Sequence, residues 1–291
     1  MSSVRFSGHE TFNCRHFWLK KGHDFVNSNK EFRDVDAVVS LGVGKNMVNS
    51  IHFWMKAFDL INEGGELSNL SYSIFDSQNG FDPYLEDLGT QWLLHYHLLQ
   101  KDHSSIYRIV FDEFRKSRVS SEFTTKQLHD FLIRKLKKEG EVISENTLES
   151  DIKVFIRNYI TQYQRGSKSL EDDFSSILTG LGLITAVKGV MVENHQLYRI
   201  EYDTQTTLNP LIFLYGIINS FGNQVSISVS DIQIQVSDKF LCNREGTDEK
   251  LFKLQEAGIL VYKENAGRKE IQIKKNFQQM DILRSYYEQN I

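Results

Sequence analysis

A chain of 291 residues with 40% apolar side chains can bury a large core or fold as two to three modules, which excludes a disordered or low-complexity protein. A net charge of −4 excludes a uniformly basic coat for nucleic acid, and two distant cysteines, Cys14 and Cys242, exclude a zinc knuckle within one module and a disulfide framework. The longest apolar run, Leu211 to Ile218, is too short to cross a bilayer and the polar first ten residues are no leader, so the cytoplasm is the expected location.

The first segment, Phe6-Ser7-Gly8-His9-Glu10-Thr11-Phe12, sets polar groups between aromatic anchors. In it His9 could act as a base, Glu10 as a metal ligand or an orienter, and Arg15 as a phosphate clamp. Alternatively, Glu10 and Arg15 pair to hold the segment onto the fold.

From Val38 to Phe58 the apolar spacing is that of a helix-turn-helix. Val38 and Leu41 close a first helix, Gly42 turns the chain, Val43 plugs the corner, and Val48 and Ile51 lock a second helix. Wound at 3.6 residues per turn, that helix carries a buried stripe of Val48, Ile51, Met55 and Phe58 and a polar one of Lys45, Asn49, His52 and Lys56. With Asn46 these polar residues have DNA-contact chemistry, Lys for phosphate and Asn for an adenine edge. A packing hairpin of an all-α protein is the competing reading. A phosphate-binding loop is excluded, because it would need Gly at 39 and Ser or Thr at 46, where the chain has Val39 and Asn46.

Asn62 to Gly65 makes a turn, and Leu67 to Phe75 alternates as a short strand or wing would. Asp82-Pro83 is expected to open a helix carrying Leu85, Leu88, Trp92 and Leu99 inward. Residues 61–100 hold six Asp or Glu and no Lys or Arg, between mildly basic segments on either side. On one face of that helix Asp82 and Glu86, with Asp87 beside them, could hold magnesium or manganese; otherwise Asp82 caps the helix and the others complement its dipole.

Helices follow from Ile106 to Arg115 and from Thr125 to Lys138, the second capped by Thr124 and Thr125 and basic at Arg134, Lys135, Lys137 and Lys138. Asn146 and Glu149 read as a capping box for a helix with Leu148, Ile152, Phe155 and Tyr159 inward. Gln164 to Ser169 is the candidate linker. Beyond it come a strand pair at Val190–Val192 and Gln196–Tyr202 and an apolar helix from Pro210 to Phe221. A winged-helix-like end then follows: helices at Ser230–Val236 and, capped by Thr247, at Asp248–Ala257, and a hairpin around Asn265–Arg268. Lys263, Arg268 and Lys269 on that hairpin suit a phosphate backbone.

The expected fold is therefore mainly α with small β-hairpins, an α+β protein of several helix-turn-helix or winged-helix-like modules. Their expected bounds are 1–100, 101–168 and 169–291.

Phe6 to Gly22 (FSGHETFNCRHFWLKKG), Leu41 to Phe58 (LGVGKNMVNSIHFWMKAF) and Phe81 to Leu98 (FDPYLEDLGTQWLLHYHL) resemble the bacterial DUF4007 family. The resemblance implies a component of DNA phosphorothioate modification and anti-phage systems. It further implies DNA as ligand, cysteine desulfurase, sulfurtransferase and ATPase subunits as partners, and phosphodiester nicking as an activity. It supplies no catalytic set for these positions. A winged-helix transcriptional regulator and a non-enzymatic protein-interaction scaffold are the alternatives, and neither a nucleotide nor an organic cofactor is expected.

Overall fold

The structure is a computed structural model that describes residues 4–160, 176–265 and 267–289. It divides into two compact units, Met1–Asp87 with His97–Glu201 and Leu88–Tyr96 with Tyr202–Ile291. The candidate linker, Gln164 to Ser169, lies outside the described residues.

The first unit opens with helices α1 (Trp18–Asn27), α2 (Ala37–Leu41), α3 (Lys45–Ala57) and α4 (Asn69–Phe75). After the end of α5 (Leu88–Lys101) come α6 (Ser105–Arg108), which continues as a π-helical turn over Ile109–Phe114, then β1 (Glu122–Thr124), α7 (Thr125–Glu139), α8 (Glu145–Tyr159), β2 (Ile184–Val192) and β3 (His195–Ile200). The strands form an antiparallel sheet in the order β1-β3-β2. Aromatic rings tie α3 to α6 and α8: Trp54 lies 6.2 Å from Tyr107, and Phe155 5.5 Å from Tyr107 and 5.4 Å from Phe111. Each of these rings is fully buried, the condition under which aromatic pairs add to their area burial.

The second unit takes Leu88–Tyr96 of α5 together with α9 (Pro210–Phe221), β4 (Ser226–Ser228), α10 (Val229–Gln235), α11 (Arg244–Glu256), β5 (Leu260–Asn265), β6 (Arg268–Ile273) and α12 (Gln279–Gln289). Its sheet runs β4-β6-β5. Here Trp92 donates to Thr207, His95 Nε2 lies 2.9 Å from the Lys239 carbonyl, and Tyr96 stacks on Phe240 at 5.0 Å. Both units thus carry the same connectivity: a helix, a short strand, two helices and a hairpin whose second strand pairs with the first strand of the group.

Four local expectations are corrected. Leu67–Phe75 is no strand: the Ser68 hydroxyl accepts the Ser71 N–H, and Leu70, Ile74 and Phe75 turn inward at helical spacing in α4. Asp82-Pro83 opens a turn, Leu85 takes a left-handed φ of 57°, and the helix begins only at Leu88. Ser144 caps α8 through the Thr147 N–H, so Asn146 and Glu149 make no capping box. Asn243 caps α11, while Thr247 is buried one turn in, bonded to Ser237. Among the described residues no helix is long and apolar enough to cross a membrane.

Candidate nucleic-acid interface

The turn between α2 and α3 is built as the sequence predicts. Gly42 sits at φ 64°, in the left-handed region that a side chain would strain, and the Gly42 and Val43 N–H groups close back on the Val39 and Val38 carbonyls at 3.2 Å each. Val38 itself is exposed and Ala37 takes the inward place beside Leu41. The four residues of the apolar stripe, Val48, Ile51 and Met55 in α3 and Phe58 at its C-terminal cap, are all buried.

The polar stripe divides along its length. At the start of α3, Lys45, Asn46 and Asn49 are exposed, and Asn49 donates to Glu10 Oε1 at 3.3 Å. Further along, His52 and Lys56 are half-buried. His52 stacks on Phe32 at 4.7 Å; burial, and secondarily the Lys56 charge, push its pKa down, so this imidazole is neutral at physiological pH. Lys56 pairs with Glu63 at 3.4 Å. The exposed polar edge is therefore the first two turns of the helix.

The aromatic-flanked segment before α1 is a strap held by α8. The Asp151 carboxylate accepts the Ser7 N–H at 3.1 Å through both oxygens, and His9 Nε2 lies 3.0 Å from Asp151 Oδ1. His9 Nδ1 accepts the Thr11 N–H at 3.2 Å. About two turns further along α8, Arg157 donates to the Thr11 carbonyl at 2.7 Å and Asn158 accepts the Cys14 N–H at 3.0 Å. These bonds hold three non-glycine residues, Ser7, Glu10 and Thr11, at positive φ. Gly8 completes the bend at φ 93°; a Cβ there would lie 2.8 Å from the Phe53 ring.

His9, expected as a base, is 2% exposed and serves the strap. Glu10 is exposed and reaches α3. The Arg15 guanidinium lies over Phe12 at 5.7 Å and Trp18 at 5.3 Å. The three residues therefore do not converge on one reacting atom. Asp151 and Asn158 were missed because they lie 144 residues from their partners; the available signal was a carboxylate and an amide at the inward face of an apolar helix.

The expected helix face of Asp82, Glu86 and Asp87 does not form. Asp82 folds the turn by accepting the Glu86 and Asp87 N–H groups, at 3.0 and 3.1 Å, one on each oxygen. Other carboxylates of the acidic segment are used locally as well: Glu63 on Lys56, Glu66 on Asn62, and Asp76 on the N–H groups of Gln78 and Asn79. On the second unit's hairpin, Lys263 donates to Gln272 at 2.7 Å and Lys269 to Asp248 at 3.1 Å, while Arg268 is exposed. Across the strands Lys263 faces Glu270 and Lys269 faces Glu264.

These features define a mainly helical α+β protein of two helix-and-hairpin units, with a helix-turn-helix in the first that presents a short polar edge. The chain belongs to the DUF4007 family, described as a protein of unknown function, whose model matches residues 6–287. Its fold is shared with two solved structures, an SspB crystal structure and a magnesium ion-bound SspB crystal structure. Each superposes with a TM-score of 0.80 over 98% of this chain and 88% of the other, at 24% identity. No curated protein matches the sequence. Among the described residues of this chain, no group of three or more His, Cys, Asp or Glu side chains is placed to hold a metal ion. With both Asp82 oxygens bound to backbone N–H groups, the residues present do not fit magnesium there.

Proposed function

We propose that this protein is a DNA-binding component of a phosphorothioate-linked anti-phage DNA-modification system, and that it meets duplex DNA through the start of α3. The observation that carries the reading is the division of that helix: Lys45, Asn46 and Asn49 exposed on one side, Val48, Ile51 and Met55 buried on the other. Family membership and the fold shared with SspB support the assignment to such a system. Cysteine desulfurase, sulfurtransferase and ATPase subunits are the partners this role implies, and the cytoplasm its location.

Winged-helix-like architecture is part of the proposal, resting on the connectivity that recurs in both units. In the second unit, α11 shows solvent Glu245, Phe252 and Glu256 beside Arg244 and Lys253. That mixture offers no net positive charge to a phosphate backbone, which favours the first unit as the reader.

The test is binding of a labelled duplex over a salt series. A protein using several phosphate contacts loses affinity steeply as salt rises, and Lys45→Ala with Asn49→Ala weakens binding at every salt. Absence of any salt-dependent affinity would overturn the reading and leave a scaffold. Nicking is examined in the same preparation by following supercoiled plasmid with manganese, magnesium or EDTA; conversion to open circles that EDTA abolishes would add an activity for which the residues described above provide no catalytic set.

A further inference from the structure

Helix α7 carries its cations in two different ways. Lys135 is built into the fold: its ammonium lies 2.6 Å from Glu113 and 2.6 Å from Glu139, and its side chain is only 13% exposed. Arg134, Lys137 and Lys138 are exposed, and among the described residues their side chains take part in no ion pair or hydrogen bond. Carboxylates stand one turn away in sequence, Asp130 before Arg134 and Glu141 after Lys137, yet Asp130 lies against Lys126 instead, at 3.6 Å. At 3.6 residues per turn Arg134, Lys137 and Lys138 share one face, and Lys126, eight residues before Arg134 and eleven before Lys137, begins the same row. The opposite face, Leu128, Leu132 and Leu136, is buried. Lys126 is half-exposed, and its contacts to Asp130 and to Glu193 of the β2–β3 turn are long, 3.6 and 3.9 Å, so they are weak and readily exchanged. Folding gives no reason for the row: Arg134 and Lys138, four apart, repel one another, and Lys126 in the first turn opposes the helix dipole, which only Lys137 and Lys138 in the last turn complement.

What the row fits is a straight array of negative charge. From Lys126 to Lys138 the helix rises about 18 Å at 1.5 Å per residue, the length over which one DNA strand presents about five phosphates. With its apolar face buried, α7 has nothing to lay into a bilayer. Lys is depleted from the cores of protein–protein interfaces, whereas it is a standard phosphate contact in nucleic-acid complexes. We propose that the outer face of α7 is a second DNA contact, in which Arg134, Lys137 and Lys138, with Lys126 at the far end, lie along the sugar-phosphate backbone of a duplex. The proposal rests on the DNA-binding reading above and goes beyond it: α7 reads no bases and adds affinity for any sequence, while α3 holds the polar groups for base edges.

The experiment measures duplex affinity over a salt series for wild type and for Arg134→Gln/Lys137→Gln/Lys138→Gln, whose glutamines keep the helix propensity of the residues they replace. Loss of three phosphate contacts flattens the log–log salt slope by about 2–3, alike for duplexes of unrelated sequence, and Lys45→Ala added to that variant flattens it by about 1 more. A second measurement needs no variant: bound duplex protects Lys137 and Lys138 of the wild-type protein from acetylation, read by mass spectrometry. A slope unchanged in the triple variant, or equal acetylation with and without DNA, overturns the proposal while leaving the α3 contact standing. Polyglutamate that protects the two lysines as fully as duplex at equal charge concentration also overturns it, since the surface would then belong to an acidic protein. If wild type has no salt-dependent affinity for DNA, the reading and the proposal fall together.

Discussion

Asp151 and His9 illustrate how a single side chain decides between two chemistries. In sequence, His9 beside Glu10 resembles a general base; in space its ring is enclosed by Phe53, Trp54 and the Asp151 carboxylate. His9→Ala is therefore expected to lower stability by roughly 2–4 kcal/mol, through lost ring packing and the loss of one neighbour of a buried carboxylate that keeps only the Ser7 N–H. Denaturant midpoints measure this, and an unchanged midpoint would contradict the strap. Asp151→Ala should cost a similar amount, and the two losses should not add, because both break one unit. A second residue-scale expectation concerns pH. Burial holds His95 down to about 3 from its ordinary 6.5, despite the Lys239 carbonyl favouring the charged ring. As pH falls the unfolded chain takes this proton first. The contribution is complete above 6.5 and is lost as pH drops from 6.5 towards 3, by up to about 1.4 kcal/mol per pH unit. His95→Gln should flatten the acid limb of a stability-versus-pH curve; an unaltered limb would place the titration elsewhere.

Among the elements, α3 was legible because a 3.6-residue period is a local property: its turn glycine and its buried stripe follow from positions 41 to 58 alone. The division of its polar stripe was not legible. Phe32, which covers His52, and Glu63, which pairs with Lys56, reach those residues through the fold and not through the helix period. Lys45→Ala and Lys56→Ala should accordingly differ: the first lowers the salt slope of DNA binding by about 1, the second by much less, because its charge already has a partner. Equal slopes for the two variants would mean that Lys56 turns to DNA on binding. The same limit explains the missed α4 and the misplaced start of α5. Leu70 and Ile74, four apart, satisfy either period over so short a span, and the Asp-Pro pair that opens many helices here opens a turn because Asp82 spends both oxygens on the two N–H groups ahead of it.

At the scale of the whole molecule, the recurrence of one small plan was readable, whereas the assignment of residues to units was not. Leu88–Tyr96 lies in sequence within the first unit yet packs with residues beyond 201. Only the partners reveal this: Gly89 lies where a Cβ would meet Tyr286 at 2.3 Å, and Thr90 meets the Tyr287 hydroxyl at 2.6 Å. A chain cut after Glu201 should therefore expose Trp92, Leu93 and Tyr96, all fully buried in the intact protein, and should aggregate or bind a hydrophobic dye. A soluble, monomeric fragment that melts cooperatively would show that this stretch finds other cover.

The same interleaving bears on how the protein is made. A ribosome releases Leu88–Tyr96 on the order of 100 residues before any of the later sequence that covers it, which at roughly 5–20 residues per second is a wait of about 5–20 s. Throughout that interval the nascent polypeptide carries an unshielded greasy stretch, and its yield in the cell should depend on chaperone supply more than its finished stability would suggest.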